Sequence, residues 1–326
     1  MKDKIFQTIK ISGAAVAAIC LASFLGLAHP VSAGIIAILT IQPTKKETLE
    51  TAAGRLAAFA AALAIFGCCR LFPWDQMTAF MCYLLLYIFV CIHFRWHSAM
   101  AMNSVLISHF LTWDRMDIAA VGNEILLFVT GVGLGVFANM HLHKKTEDME
   151  VLRRKTDEGI RHILFRMSER ILDREITDYD GSCFQELKAH IRSASLLAKE
   201  NYKNQLGTAD VYDMEYIEMR SRQYYVLYEM YKMVRFLETT PITAERIAVF
   251  FRRIAEEYHK ENTCGLLLQD FYILDQSMKE LPLPENRKEF EDRARLFGML
   301  HFMEEFLTIK VEFIEKIEKT MGKKVK

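Results

Sequence analysis

Along the first 143 positions the chain alternates long apolar runs with short polar breaks. Crossing the hydrocarbon core of a bilayer takes about 20 mostly apolar residues in a helix, within a range of about 17–25. Residues 11–28, 52–69, 76–94 and 118–140 meet that length, the second with Arg55 near its start and the last interrupted by Asn123 and Glu124. Residues 31–41 are apolar but short, and 98–112 are only weakly apolar. The pattern predicts four full-length spans and two segments whose length alone suits a re-entrant or buried helix.

From Thr146 onward the apolar residues recur at a 3.6-residue period between dense charges. Ile160, Ile163, Leu164, Met167, Ile171 and Leu172 make one face of a first helix that starts near Glu147 and is broken by Asp180-Gly181. Ser182 and Gln185 have the spacing of a capping box, and Gly207 suits a left-handed helix end. Further helices run from about Asp210 to Glu238, from Thr243 as a cap, over 266–279, and from beyond Pro282 and Pro284 to about Thr320. Little β-branched alternation occurs anywhere. The fold class is therefore all-α: a transmembrane bundle of about six helices over 1–143, followed by a helical domain over 144–326.

Charge decides orientation, because Lys and Arg concentrate in cytoplasmic loops. Six passes place Lys2, Lys4, Lys10, Lys45, Lys46, Arg95 and the stretch 141–145 inside, leaving only Arg70 and Arg115 as external basic residues. A four-pass reading omits 31–41 and 98–112 and moves Lys45 and Lys46 outside, so six passes with both termini cytoplasmic fit better. The start, with three lysines before an apolar run, also fits a signal peptide, but the later runs are equally apolar and the first reads as one pass among several. The expected location is a cell membrane, in contact with its lipids, with 144–326 on the cytoplasmic side.

The formal net charge is zero, from 41 Lys+Arg and 41 Asp+Glu, which leaves no basic excess for nucleic acid. That balance joins two unlike halves: nine basic and seven acidic residues fall in 1–143, and 32 and 34 in the remainder. The seven cysteines include no C-x-x-C pair, so neither a zinc site nor a disulfide framework is expected. Gly131-Val132-Gly133-Leu134-Gly135 lacks the preceding strand of a phosphate loop and reads as helix-packing glycine. Without a P-loop, direct ATP coupling is not expected, nor is any other cofactor. Glu256 and His259 form a single E-x-x-H, short of the two such pairs a di-metal bundle needs, so no metal site is expected. Tyr224, Tyr228 and Tyr231 make a helical stripe that either fills core or lines a pocket for an aromatic ligand, core being the commoner use. No nucleophile, base and oxyanion site assembles, so the chain is not read as an enzyme.

Ionisable groups at membrane depth are costly and prompt functional hypotheses. Arg55 has two readings: a bidentate clamp for a carboxylate close to Gln42, Pro43 and Thr44, or a snorkelling side chain reaching the cytoplasmic headgroups. Glu124 reads as a proton carrier, or as a group at the outer interface or paired with Arg115. His93, His97 and His109 are candidates for proton handling by residue type but read better as interfacial residues near loop ends. His141 and His143, before Lys144-Lys145, read as a contact for anionic lipid.

The segment 34–59, with Gln42, Pro43, Thr44 and the Gly54-Arg55 pair, resembles the aromatic acid exporter family within the wider fusaric acid resistance-type membrane proteins. The charged helical half resembles the cytoplasmic C-terminal domain of its bacterial members. Where the family helix often repeats glycine after the Arg, this chain has Ala57, Ala58, Ala61 and Ala62. Larger relatives join two six-pass sets in one chain, so a single set implies a homodimer. The resemblance implies export of aromatic or other organic carboxylic acids, with Arg55, Gln42 and Thr44 toward the anion and, in a proton-coupled version, Glu124 toward the proton. A different class of function is a membrane-anchored sensor or scaffold whose helical half binds a ligand or partner.

Overall fold

The computed structural model describes residues 2–113, 116–140, 145–176, 179–206, 210–259 and 262–324. The expectations for Arg115, 141–144 and Gly207 lie outside them. Every regular element described is helical: α1 Lys2–Phe24, α2 Pro30–Thr40, α3 Lys45–Cys69, α4 Gln76–His93, α5 Met100–Trp113, α6 Ile118–Met140, α7 Thr146–Leu172, α8 Ser182–Lys203, α9 Tyr212–Arg235, α10 Ala244–Glu257, α11 Gly265–Lys279 and α12 Arg287–Lys324, with a 3-10 turn at His97–Ala99. The chain divides into two compact units, Met1–Lys144 with Lys203–Thr208, and Lys145–Tyr202 with Ala209–Lys326.

In the first unit, four helices are long and apolar enough to cross a membrane: Ile5–Phe24 of α1, and all of α3, α4 and α6. Helices α2 and α5 have 11 and 14 residues. At about 1.5 Å per residue they reach about 16 and 21 Å, well short of a core of about 30 Å. Local chemistry sets the boundaries. Pro30 opens α2, where its missing N–H costs nothing, after His29 turns left-handed at φ 57°. Thr44 caps α3 by accepting the Glu47 N–H at 3.3 Å, and Asp75 caps α4 through the Thr78 N–H at 3.1 Å.

Two sets of three helices make up this unit. Helices α1, α2 and α6 pack together, α3, α4 and α5 form the second set, and α3 meets α6, where Phe59 and Phe128 stack at 4.7 Å. Close approach within the first set depends on three glycines. A Cβ on Gly34 would lie 2.6 Å from an Ile19 side-chain carbon, one on Gly131 2.6 Å from the Ala33 carbonyl oxygen, and one on Gly135 2.9 Å from that of Ala37. Nothing lies within 4 Å of the corresponding position at Gly133. The glycine string of α6 thus packs along one face only, as small-xxx-small contacts do. Many large apolar side chains, among them Phe24, Leu85, Phe89 and Phe137, point outward from this unit, as lipid-facing groups would.

The second unit encloses one core in which α7 packs on α9 and α10, α9 on α12, and α11 on α10 and α12. At its centre lies Arg220 of α9, fully buried. Its guanidinium pairs with Asp157 of α7 at 2.9 Å, donates to Tyr216 Oη at 2.8 Å and to the Tyr258 hydroxyl, and sits 4.8 and 4.7 Å from the centres of those two rings. Burial alone would lower its pKa, but the surrounding Tyr258, Tyr216 and Asp157 raise it, so the charge is kept. Helix starts differ in detail from the expected caps. Asp180 Oδ1, two residues upstream, accepts the Ser182 N–H at 2.9 Å, and the buried Thr243 hydroxyl makes no cap bond. Asp292 of α12 holds the turn after α9, accepting from the Glu238 and Thr239 N–H groups and from the Thr239 hydroxyl at 2.6–3.2 Å.

Two outcomes follow. Gly131→Leu forces α2 away from α6 and is expected to cost about 1–3 kcal/mol or more of overpacking strain, whereas Gly133→Leu leaves thermal stability in detergent nearly unchanged. Equal effects would remove the packing argument. For Asp292, burial raises the pKa but the bonds from Thr239 and Glu238 outweigh it, leaving it depressed. Its contribution is present above the unfolded carboxylate pKa and is lost as pH falls through the lower, folded value. Asp292→Asn should therefore destabilise the second unit at neutral pH and flatten the acid side of its stability profile.

Candidate functional site

Arg55 lies about three turns into α3 and is only 3% exposed. Its Nη1 donates to Thr40 Oγ1 at 3.1 Å, and the Thr40 hydroxyl in turn donates to the Ile36 carbonyl at 2.7 Å. Nε is buried without a partner, and no carboxylate of the described residues comes within 4.0 Å of the guanidinium. Instead of snorkelling, the side chain turns toward α2, into the bundle. A buried cation ordinarily has a countercharge or a full set of hydrogen-bond acceptors. Arg55 has one acceptor, so its Nε–Nη2 edge, the fork that matches a carboxylate, is free.

Other polar atoms share this region. Asn103 of α5 donates to Tyr87 Oη at 2.9 Å and reaches the Arg55 carbonyl at 3.5 Å, while its own Oδ1 has no partner. The Tyr83 ring stacks 5.3 Å from that of Tyr87, with its buried hydroxyl unbonded. Asn139, near the end of α6, closes the α2–α3 connection. Its Nδ2 donates to the carbonyls of Gln42 and Thr44 at 3.0 and 3.2 Å and to Thr48 Oγ1 at 2.5 Å, and its Oδ1 accepts from Lys10 Nζ at 2.7 Å. The Gln42 side chain bonds the Leu39 carbonyl and the Thr44 hydroxyl caps α3. No hydrogen bond joins either to Arg55; the structure brings Thr40 there.

A second polar group forms around Glu124, which is fully buried. Its Oε2 lies 3.0 Å from His109 Nδ1, and its Oε1 accepts from Asn123 Nδ2 at 3.1 Å. The other ring nitrogen of His109 is 3.4 Å from Ser32 Oγ, and the exposed His29 ring stacks on His109 at 4.2 Å. Sequence placed His109 at an interface like His93 and His97; those two are exposed, but His109 is buried beside a carboxylate because α5 turns it toward α6. The series His29, His109, Glu124 leads from the surface to a buried acid. Ser32 and Thr40 lie eight residues apart on α2, about 12 Å along its axis at about 1.5 Å per residue, so one short helix touches both polar groups.

Thr40, Asn103, Asn139, Ser32 and His29 carry no motif in the sequence, and only a polar residue within an apolar run marks them. In the second unit, Tyr228 and Tyr231 pack on Phe184 at 5.3 and 5.0 Å, with Tyr231 Oη donating to the Tyr179 carbonyl. Among the described residues, no group of three or more His, Cys, Asp or Glu is placed to hold a metal.

Residues 3–142 match the family described as "Aromatic acid exporter family member 1", and residues 146–311 match the "Putative aromatic acid exporter C-terminal domain". The chain is 28% identical over 320 residues to the "Uncharacterized protein YqjA" of Bacillus subtilis (strain 168), across 97% of this chain and 98% of that one. The crystal structure of a "putative membrane protein" from Clostridium difficile 630 aligns with a TM-score of 0.48 at 25% identity, over 52% of this chain and 99% of its own.

Asn139→Leu removes the three bonds from Nδ2 to Gln42, Thr44 and Thr48 at the α2–α3 connection, along with the bond from Lys10. Amide hydrogen exchange over residues 41–48 of the detergent-solubilised protein should then quicken about tenfold, the equivalent of about 1.4 kcal/mol. Unchanged exchange would mean that the connection is held by something else.

Proposed function

The chain belongs to the aromatic acid exporter family, and on that footing we propose that it exports aromatic or other organic carboxylates in exchange for protons. Its family is one of membrane exporters rather than enzymes. The observation that carries the proposal is Arg55, a buried guanidinium with a free Nε–Nη2 edge and no carboxylate of the described residues within 4.0 Å. A substrate carboxylate completes that edge with two charge-assisted hydrogen bonds. Thr40 holds the opposite edge and so fixes the plane in which the anion must approach. Gln42 and Thr44 shape the approach through the loop that Asn139 closes.

Glu124 and His109 supply the proton site, with Ser32 and His29 extending it toward the surface. Exchange of one anion outward for one proton inward moves two charges in the favourable direction across an inside-negative membrane. At about 2.3 kcal/mol per charge per 100 mV, that drives each cycle by about 4–5 kcal/mol. The topology we infer has six helices crossing or entering the membrane, residues 144–326 in the cytoplasm and both termini inside. Short helices are where transporters place their binding groups, and α2 and α5 carry Ser32, Thr40, Asn103 and His109. A homodimer is supported by the outward, small-residue face of α3 formed by Ala53, Ala57, Ala60 and Ala64.

Purified protein in proteoliposomes, with an imposed pH gradient and a panel of aromatic acids, tests this reading. Flux should require the gradient. Arg55→Gln should lower it about 10–100-fold, the scale of a lost charge-assisted bond of about 1.5–3 kcal/mol, with Arg55→Lys retaining part. Glu124→Gln should leave substrate binding but remove the dependence on pH. A folded protein that moves none of the acids would overturn export and favour the anchored-sensor reading.

A further inference from the structure

Helices α8 and α9 of the second unit are separated by a cleft of about 560 Å³, within the size range of small-molecule sites. Its floor is apolar, with Ile191 of α8 and Ile217 of α9 buried there. On one wall stand Tyr224, half-buried against Phe184 at 5.8 Å, and the exposed Tyr225. The other wall carries Lys188, Arg192 and Lys199, which share a helix face at i, i+4 and i+11.

Those three cations have no carboxylate within 4.0 Å among the described residues. Most other cations of this unit do: Arg222 has Glu312, Arg253 has Asp270, Arg293 has Glu289 and Lys316 has Glu215. Among the described residues, Glu218 is the one acid lining the cleft, so the rim is net positive. A basic rim above an apolar floor with tyrosine faces on one side suits a ligand that is flat, apolar and anionic at one end. Inorganic anions would find the charge but waste the floor, and neutral aromatics the reverse.

We propose that this cleft is a binding site for an aromatic carboxylate, separate from Arg55, through which the second unit senses such acids. The inference rests on the chemistry of the cleft and does not require that the chain transports. Equilibrium dialysis of 2-naphthoate against the full-length protein in nanodiscs tests it, in an Arg55→Gln background that disables the proposed membrane site. Saturable binding should persist there, fall at least tenfold on adding Lys188→Gln and Arg192→Gln, and weaken several-fold with Tyr225→Ala. These are exposed positions, and an unchanged melting temperature checks that each variant is folded. Neutral 2-naphthalenemethanol should bind at least tenfold more weakly, and inorganic phosphate should not displace the naphthoate. Loss of all binding with Arg55→Gln alone, equal binding after the charge substitutions, or displacement by phosphate would each overturn the proposal. So would an absence of binding in which the charge substitutions instead dissociate an oligomer, assigning the cleft to a second copy. None of these results bears on flux in proteoliposomes, so the two proposals fail separately.

Discussion

The polar chemistry of the first unit hangs on one eleven-residue helix, α2, gripped between α1 and α6 at contact distances that tolerate no side chain at three glycines. That grip sets Thr40 against Arg55 at one end and Ser32 near His109 at the other. A fully spanning helix would put both groups mid-helix, where its own backbone bonds and bulk surround them. A short one ends beside them, and its connection to α3 is closed by Asn139 rather than by lipid-facing apolar contacts. Free polar backbone at such an end is tolerated because protein groups satisfy it.

Among the described residues two arginines are deeply buried, and they meet their desolvation differently. Arg220 is surrounded by Asp157, two tyrosine hydroxyls, Gln223 and two ring faces, which together keep it charged and join α7, α9, the end of α10 and, through Gln223 and Phe306, α12. Partners surround both Nη atoms and only Nε lacks one, and the consequence is a specified core. Arg55 has a single hydroxyl and an open edge. In the function proposed above, the same side chain, incompletely satisfied, recognises an anion that supplies the remaining acceptors. The two differ in countercharge: Arg220 has Asp157 beside it, and Arg55 has no carboxylate of the described residues within 4.0 Å.

Much of the architecture is legible from run length and period alone. Apolar runs marked α1, α3, α4 and α6, and the 3.6-residue repeat marked α7 through α12, because hydrophobic periodicity reports the face a helix buries whatever it packs against. The short runs that became α2 and α5 were visible as marginal, and the packing role of the α6 glycines followed from their context. Arg55 and Glu124 stood out for a physical reason too, since charge inside an apolar run is expensive.

What those charges touch was decided only in three dimensions. Thr40 is 15 residues before Arg55, and His109 is 15 before Glu124; no helical or strand period joins such positions, and the contacts exist only because α2 meets α3 and α5 meets α6. Asn139 reaches residues more than 90 positions away, and the unpaired cations of α8 acquire meaning only from the tyrosines of α9 across the cleft. Sequence determined by itself that the chain is helical, half apolar and half charged, because those properties are local sums of side-chain transfer energies. Tertiary structure determined which buried charges find partners and which stay open, because pairing depends on distances between helices that the local pattern does not encode.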